Sequence, residues 1–145
     1  MVLRRPVPIL GVMTFTLALT QIQGAAQVPD REAASMLAIN AGQDTFRQFC
    51  APCHGTDAKG HGPVAPALNK PPADLTAAER RNNGRFPVAA FEAMLNATGL
   101  QPSAHGSSQM PVWGATFRQI DHSETLARAR IANLLAYIES IQEQE

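Results

Sequence analysis

Five consecutive residues, Cys50-Ala51-Pro52-Cys53-His54, constrain what this chain can fold into more than any other stretch. Cysteines three apart on a helical turn lie on one side, so both sulfurs reach a common partner. C-x-x-C-H is the pattern that anchors haem. The two thiols add to vinyl groups on adjacent pyrrole rings, and the histidine that follows is directed at the iron as proximal ligand. Two other chemistries use paired cysteines. A thioredoxin-like redox pair expects a βαβ setting, which the hydrophobic pattern does not offer, and it leaves His54 without a role. A zinc site needs about four ligands. The chain has no further cysteine, and His61, His105 and His122 are scattered without ligand spacing. The motif therefore predicts one haem c, covalently held through Cys50 and Cys53, with His54 on the iron.

Composition agrees with a chain built around such a group. Of 145 residues only eight are aromatic, six Phe, one Tyr and one Trp. Side chains alone underfill a core, and the cofactor is expected to complete it. Twelve Lys+Arg stand against twelve Asp+Glu; with no basic excess, nucleic acid is not an expected partner. A hydrophobic content of 45% excludes disorder by composition. No apolar stretch reaches the ~18 to 20 residues of a clear membrane span.

Residues 1–26 read as an address. Arg4 and Arg5 make a positive start, Ile9 to Leu19 is an apolar run broken only by Gly11, Thr14 and Thr16, and Gly24, Ala25 and Ala26 supply small side chains. This is the layout of a secretory signal peptide with cleavage after Ala26. Two adjacent arginines are weak evidence for the twin-arginine route. The alternative is retention of the segment as an anchor, the one route to membrane contact. Removal leaves a chain of net charge about −2 with two lysines, Lys59 and Lys70. The expected location is periplasmic, where two free cysteines must be crosslinked or otherwise occupied.

Residues 27–39 form a polar, Ala-rich lead-in with at most a short helical turn, and the folded domain is expected over 40–145. A helix is expected to start at Asn40, with Gln43 completing a box-like cap. Phe46 and Phe49 line one side of it, and Gly42, four before Phe46, makes a notch where another backbone can approach. Residues 55–74 are rich in Gly and Pro and read as loop. Thr76 with Glu79 resembles a capping box. Pro87 opens a helix that Gly99 stops. Residues 101–109 are polar loop, and a short helix is expected over Trp113 to Ile120. Asp121 with Glu124 opens the last helix, whose stripe Ala127, Ile131, Leu134, Ile138, Ile141 follows one helical face. No segment alternates with period two. The fold class is all-α, with short helices and long loops; loops this long in so small a domain are expected to wrap something.

Iron bound on one side by His54 leaves its other face open. Met36 lies in the lead-in, and Met94 sits between Phe91 and Leu95 in a helical pattern, where packing is its expected role. Met110 stands in a loop immediately before Pro111, which holds it extended. Met110 is the expected sixth ligand, with His105 the rival; a histidine there would lower the reduction potential relative to methionine.

At this point the chain resembles the class I c-type cytochromes of the bacterial mono-haem kind. The matching stretches are CAPCHG at 50–55, KGHGPVAPAL at 59–68, KPPADLT at 70–76, HGSSQMPVWG at 105–114 and RIANLLAYIESIQ at 130–142. The order is specific: attachment motif early, methionine late, closing helix last. Four-helix-bundle cytochromes place the motif near the C-terminus and do not fit. The resemblance implies a cytochrome c-like fold wrapped around one haem, with thioether bonds at Cys50 and Cys53 and axial ligands His54 and Met110. It implies a proline, Pro63 or Pro66, whose carbonyl hydrogen-bonds the ligand histidine and orients its ring. It implies that Gly42 and Phe46 on the first helix meet Tyr137 on the last, and that Trp113 lies near the haem propionates, where Arg80, Arg81 or Arg85 can also serve.

The resemblance also implies a periplasmic electron carrier that passes electrons between redox partner proteins, transforms no small-molecule substrate and is not itself an enzyme. Carriers of this kind often ring the haem edge with lysines; two lysines make strong steering doubtful. The alternative is a haem c subunit permanently docked to a dehydrogenase or oxidase complex. A third reading, a sensor with a weak sixth ligand, is distinguished by carbon monoxide binding to the reduced protein.

Overall fold

Helices are dictated by the apolar stripes and by their caps, and six of them are found among the described residues. The computed structural model describes residues 30–96 and 110–143. The elements are α1 (Arg31–Phe49), α2 (Ala51–His54), a short 3-10 turn at Ala65–Ala67, α3 (Ala78–Arg81), α4 (Val88–Asn96), α5 (Trp113–Asp121) and α6 (Glu124–Ser140). Among the described residues there is no strand, so the all-α fold class holds. The expected signal segment 1–26, the stop at Gly99 and the loop 101–109 with His105 lie outside the described residues. Among those described, no helix is long and apolar enough to cross a membrane.

The cap of the first helix lies ten residues earlier than expected. Asp30, not Asn40, is its N-cap, and the Asp30 carboxylate accepts from the Ala33 amide at 2.7 Å. Most of the lead-in is therefore helix. Its side chains gave no stripe to read because they are solvated: Met36 and Leu37 are 54% and 65% exposed. Two other caps also differ. Thr76 does not cap α3; its amide and hydroxyl both donate to Asp74, at 2.9 and 2.6 Å, and the Glu79 amide is met by the Gln142 side chain. Ser123, not Asp121, caps α6, accepting from the Leu126 amide. Asp121 ends α5 and accepts from Arg130 Nε at 3.0 Å. That hydrogen bond holds the Asp121 carboxyl below the usual carboxylate range. The Arg130 guanidinium in turn stands 5.4 Å from the Phe117 ring centre, a cation–π contact.

The largest helix contact is α1 on α6, and it positions the motif at the end of α1. Gly42 makes it possible. A Cβ at Gly42 would run into the Asn133 carbonyl and lie 2.9 Å from the Tyr137 Cβ. With no side chain there, the backbones close up, and Phe46 meets Tyr137 with ring centres 5.3 Å apart. The expected α6 stripe is the buried face: Ala127, Ile131, Leu134 and Ile138 are all buried, and Ile141 is half-buried. Leu134 and Phe46 are fully enclosed, each contributing about 1.5–3 kcal/mol by burial.

Candidate functional site

Cys50 ends α1 and begins the next turn. Its amide donates to Phe46 O at 2.8 Å, while its carbonyl accepts from the amides of Cys53 and His54 at 3.1 and 2.8 Å. The five residues of the motif are thus one helical turn attached to the end of α1, the helix that packs on α6. Cys50 is buried, Cys53 and His54 are half-buried, and the two thiols form no disulfide. Burial, and then the neighbouring Cys53, push the Cys50 thiol up to about 12. A redox-active attacking cysteine needs the opposite shift, and the described residues offer no βαβ setting for a thioredoxin-like pair.

The loop after the motif folds back onto it. The amides of Gly60, Gly62 and Val64 donate to the carbonyls of His54, Cys53 and Pro52, at 2.7, 3.0 and 2.9 Å. Gly62 permits this approach, since a Cβ there would strike the backbone of residues 51–53.

His54 Nδ1 lies 2.9 Å from the Ala73 carbonyl oxygen. A carbonyl only accepts, so the proton sits on Nδ1 and the lone pair of Nε2 is left for a metal. Burial lowers the pKa of the imidazole, against a smaller opposing effect of the Ala73 bond, which favours the neutral form that a metal ligand needs. This corrects one expectation. Neither Pro63 nor Pro66 supplies the orienting carbonyl: both are exposed, and Pro66 lies in the 3-10 turn at Ala65–Ala67. The acceptor is a backbone oxygen 19 residues after His54. It has no side-chain signature; the only signal was Pro71-Pro72, which holds the chain extended just before it.

The chain after Met110 packs beside the motif. Trp113 packs against Phe49, the residue before Cys50, with ring centres 5.5 Å apart, and stacks on Phe117 at 5.6 Å. The start of α5 is thereby joined to the end of α1. Met110, three residues before Trp113, is half-buried against the core, as are Phe49, Phe86, Met94 and Trp113. Of the candidate arginines, Arg81 donates to the Asp74 carbonyl at 2.6 Å and Arg80 is 3.8 Å from Glu143; all three, with Arg85, are exposed.

These residues fit a haem. Two thiols at the required spacing share a turn, the histidine has a free Nε2, and large apolar side chains near them are left half-covered. Among the described residues no three or more His, Cys, Asp or Glu side chains gather as a metal site, so the donor set of a four-ligand zinc site is not assembled there. A family model described as Cytochrome c matches residues 39–142. No curated protein and no solved structure matches the chain.

Proposed function

The chain belongs to the cytochrome c family, a family of haem-containing electron-transfer proteins, and from that premise we propose that it is a periplasmic electron carrier with one covalent haem c and His54 and Met110 as axial ligands. The observation that carries this reading is the hydrogen bond from His54 Nδ1 to Ala73 O on the turn that holds both cysteines. Haem, when bound, supplies a reversible one-electron iron centre. Cys50 and Cys53 tether it against loss after export. His54 is held in one orientation, so its geometry changes little between oxidation states. The Phe49–Trp113–Phe117 cluster and the buried face of α6 exclude water, which favours the reduced state, as does a thioether ligand from Met110.

Docking to donor and acceptor proteins does not rest on a lysine ring. Of the two lysines, Lys59 is engaged by Glu143 at 2.6 Å. This holds equally for a free carrier and for a haem c subunit docked to a dehydrogenase or oxidase complex.

Met110→Ala tests the ligand assignment. The variant is expected to lose the long-wavelength band of the oxidised protein that reports sulfur on ferric iron and to bind carbon monoxide when reduced. Its potential should fall by on the order of 0.1 V, a modest part of the range over which axial ligands set it. If Met94→Ala shows these changes and Met110→Ala does not, the methionine is misassigned.

A further inference from the structure

The peptide run that carries the Ala73 carbonyl is held at every residue. Four consecutive carbonyls each have a partner. Ala73 O meets His54 Nδ1, Asp74 O accepts from Arg81 at 2.6 Å, Leu75 O accepts from Gln142 Nε2 at 2.8 Å, and Thr76 O accepts from the Glu143 amide at 2.9 Å. Two of the four partners come from the residues just past α6. Both ends of the Gln142 carboxamide are engaged: Nε2 also donates to Ile138 O at 2.8 Å, and Oε1 accepts from the Glu79 amide at 2.8 Å. The bond to Ile138 fixes the side chain to its own helix. The other two fix residues 75 and 79 to that helix across more than sixty positions of sequence.

We infer that Gln142 is a positioning residue for the His54 imidazole, acting through the Leu75 carbonyl to aim the Ala73 carbonyl at Nδ1. This rests on the reading of His54 as a haem ligand. A hydrogen bond weakens steeply with distance and misalignment. Leu75 is two residues from Ala73, and the chain between them has little freedom while both ends are held. The Leu75 amide still donates to Ala58 O at 2.8 Å and its carbonyl keeps only a long bond from the Ala78 amide at 3.4 Å, so losing Gln142 loosens the carbonyl side of this peptide and lets the Ala73 carbonyl turn from the ring. The Nδ1–H···O bond raises the basicity of the ligand nitrogen, so weakening it makes Nε2 a poorer donor. Ferric iron is then less stabilised, and the potential rises.

The test uses the holoprotein. Gln142→Met keeps length and charge but removes the donor and the acceptor; Gln142→Ala is the second variant, so the question survives if one fails to fold. Lys59→Ala is the control, since it cuts a tie between the same helix end and the loop without touching the four carbonyls. The exchange rate of the His54 Nδ1 proton, read by NMR, and the midpoint potential are measured together. Both Gln142 variants are expected to exchange about tenfold faster, a change of the size of one hydrogen bond, with a more positive potential. Lys59→Ala should leave exchange unchanged; removing its positive charge can only move the potential the other way. Gln142 variants that are less stable but keep wild-type exchange and potential would show a merely structural role and overturn the inference. A wild-type protein without a histidine-ligated haem would overturn it together with the functional reading, and that is seen before any variant is made.

Discussion

Replacing His54 with alanine is expected to abolish the normal low-spin spectrum and to leave the protein largely unfolded at temperatures where the wild type is stable. Two effects add. The iron loses the ligand on one face, and the Ala73 carbonyl loses the partner it now holds at 2.9 Å. Loss of a metal ligand belongs to the few single changes that cost about 4 kcal/mol or more. On the proposed reading the cofactor also stands in for core: Phe49, Phe86, Met94, Met110 and Trp113 are only half-covered by protein, and a misligated haem would pack against them poorly. Optical spectra and thermal unfolding of the exported variant check this. A His54→Ala protein with the wild-type spectrum and midpoint would remove His54 from the iron.

Gly42→Ala is expected to destabilise by about 2–4 kcal/mol, although alanine in a helix ordinarily gains up to about 1 kcal/mol over glycine. The added methyl meets the backbone carbonyl of Asn133, not the end of a flexible side chain. To relieve it α1 and α6 must separate, and the contact that separates is the largest between helices, with Phe46 and Tyr137 at its centre. For a domain of this size the midpoint should fall by about 10 °C or more. Gly84→Ala is the comparison. Nothing lies within 4 Å of a Cβ there, and the only obstacle is a φ of +72°, so the loss should be limited to about 1–2 kcal/mol. Denaturant unfolding of both holoproteins measures the difference; equal losses would mean that close approach at Gly42 is not what holds the two helices together.

The parts of this fold legible in the sequence are those that side chains write directly. Pro87 marked the start of α4, and the stripe from Ala127 to Ile141 marked the buried face of α6. The glycine notch at Gly42 was legible because close packing leaves a missing side chain as its trace, while its partner Tyr137 followed only from the family resemblance. The start of α1 was not, since its first turns carry no stripe and the polar residue that caps it, Asp30, sits inside an otherwise uninformative lead-in. Thr76 shows how a cap signal misleads: Asp74, two residues away, captures its hydroxyl. At the site, the cysteines and His54 announced themselves by spacing. Ala73 and Gln142 did not, because one acts through a backbone oxygen and the other through contacts 63 and 67 residues away in sequence.

The central claim is that a single haem is bound covalently through Cys50 and Cys53. Intact mass under denaturing conditions, on protein recovered from the periplasm of an expression host, tests it most directly. The account predicts a mass equal to the polypeptide plus one haem, retained after unfolding and reduced to the polypeptide alone when both cysteines are replaced by alanine. A wild-type mass equal to amino acids alone would contradict it.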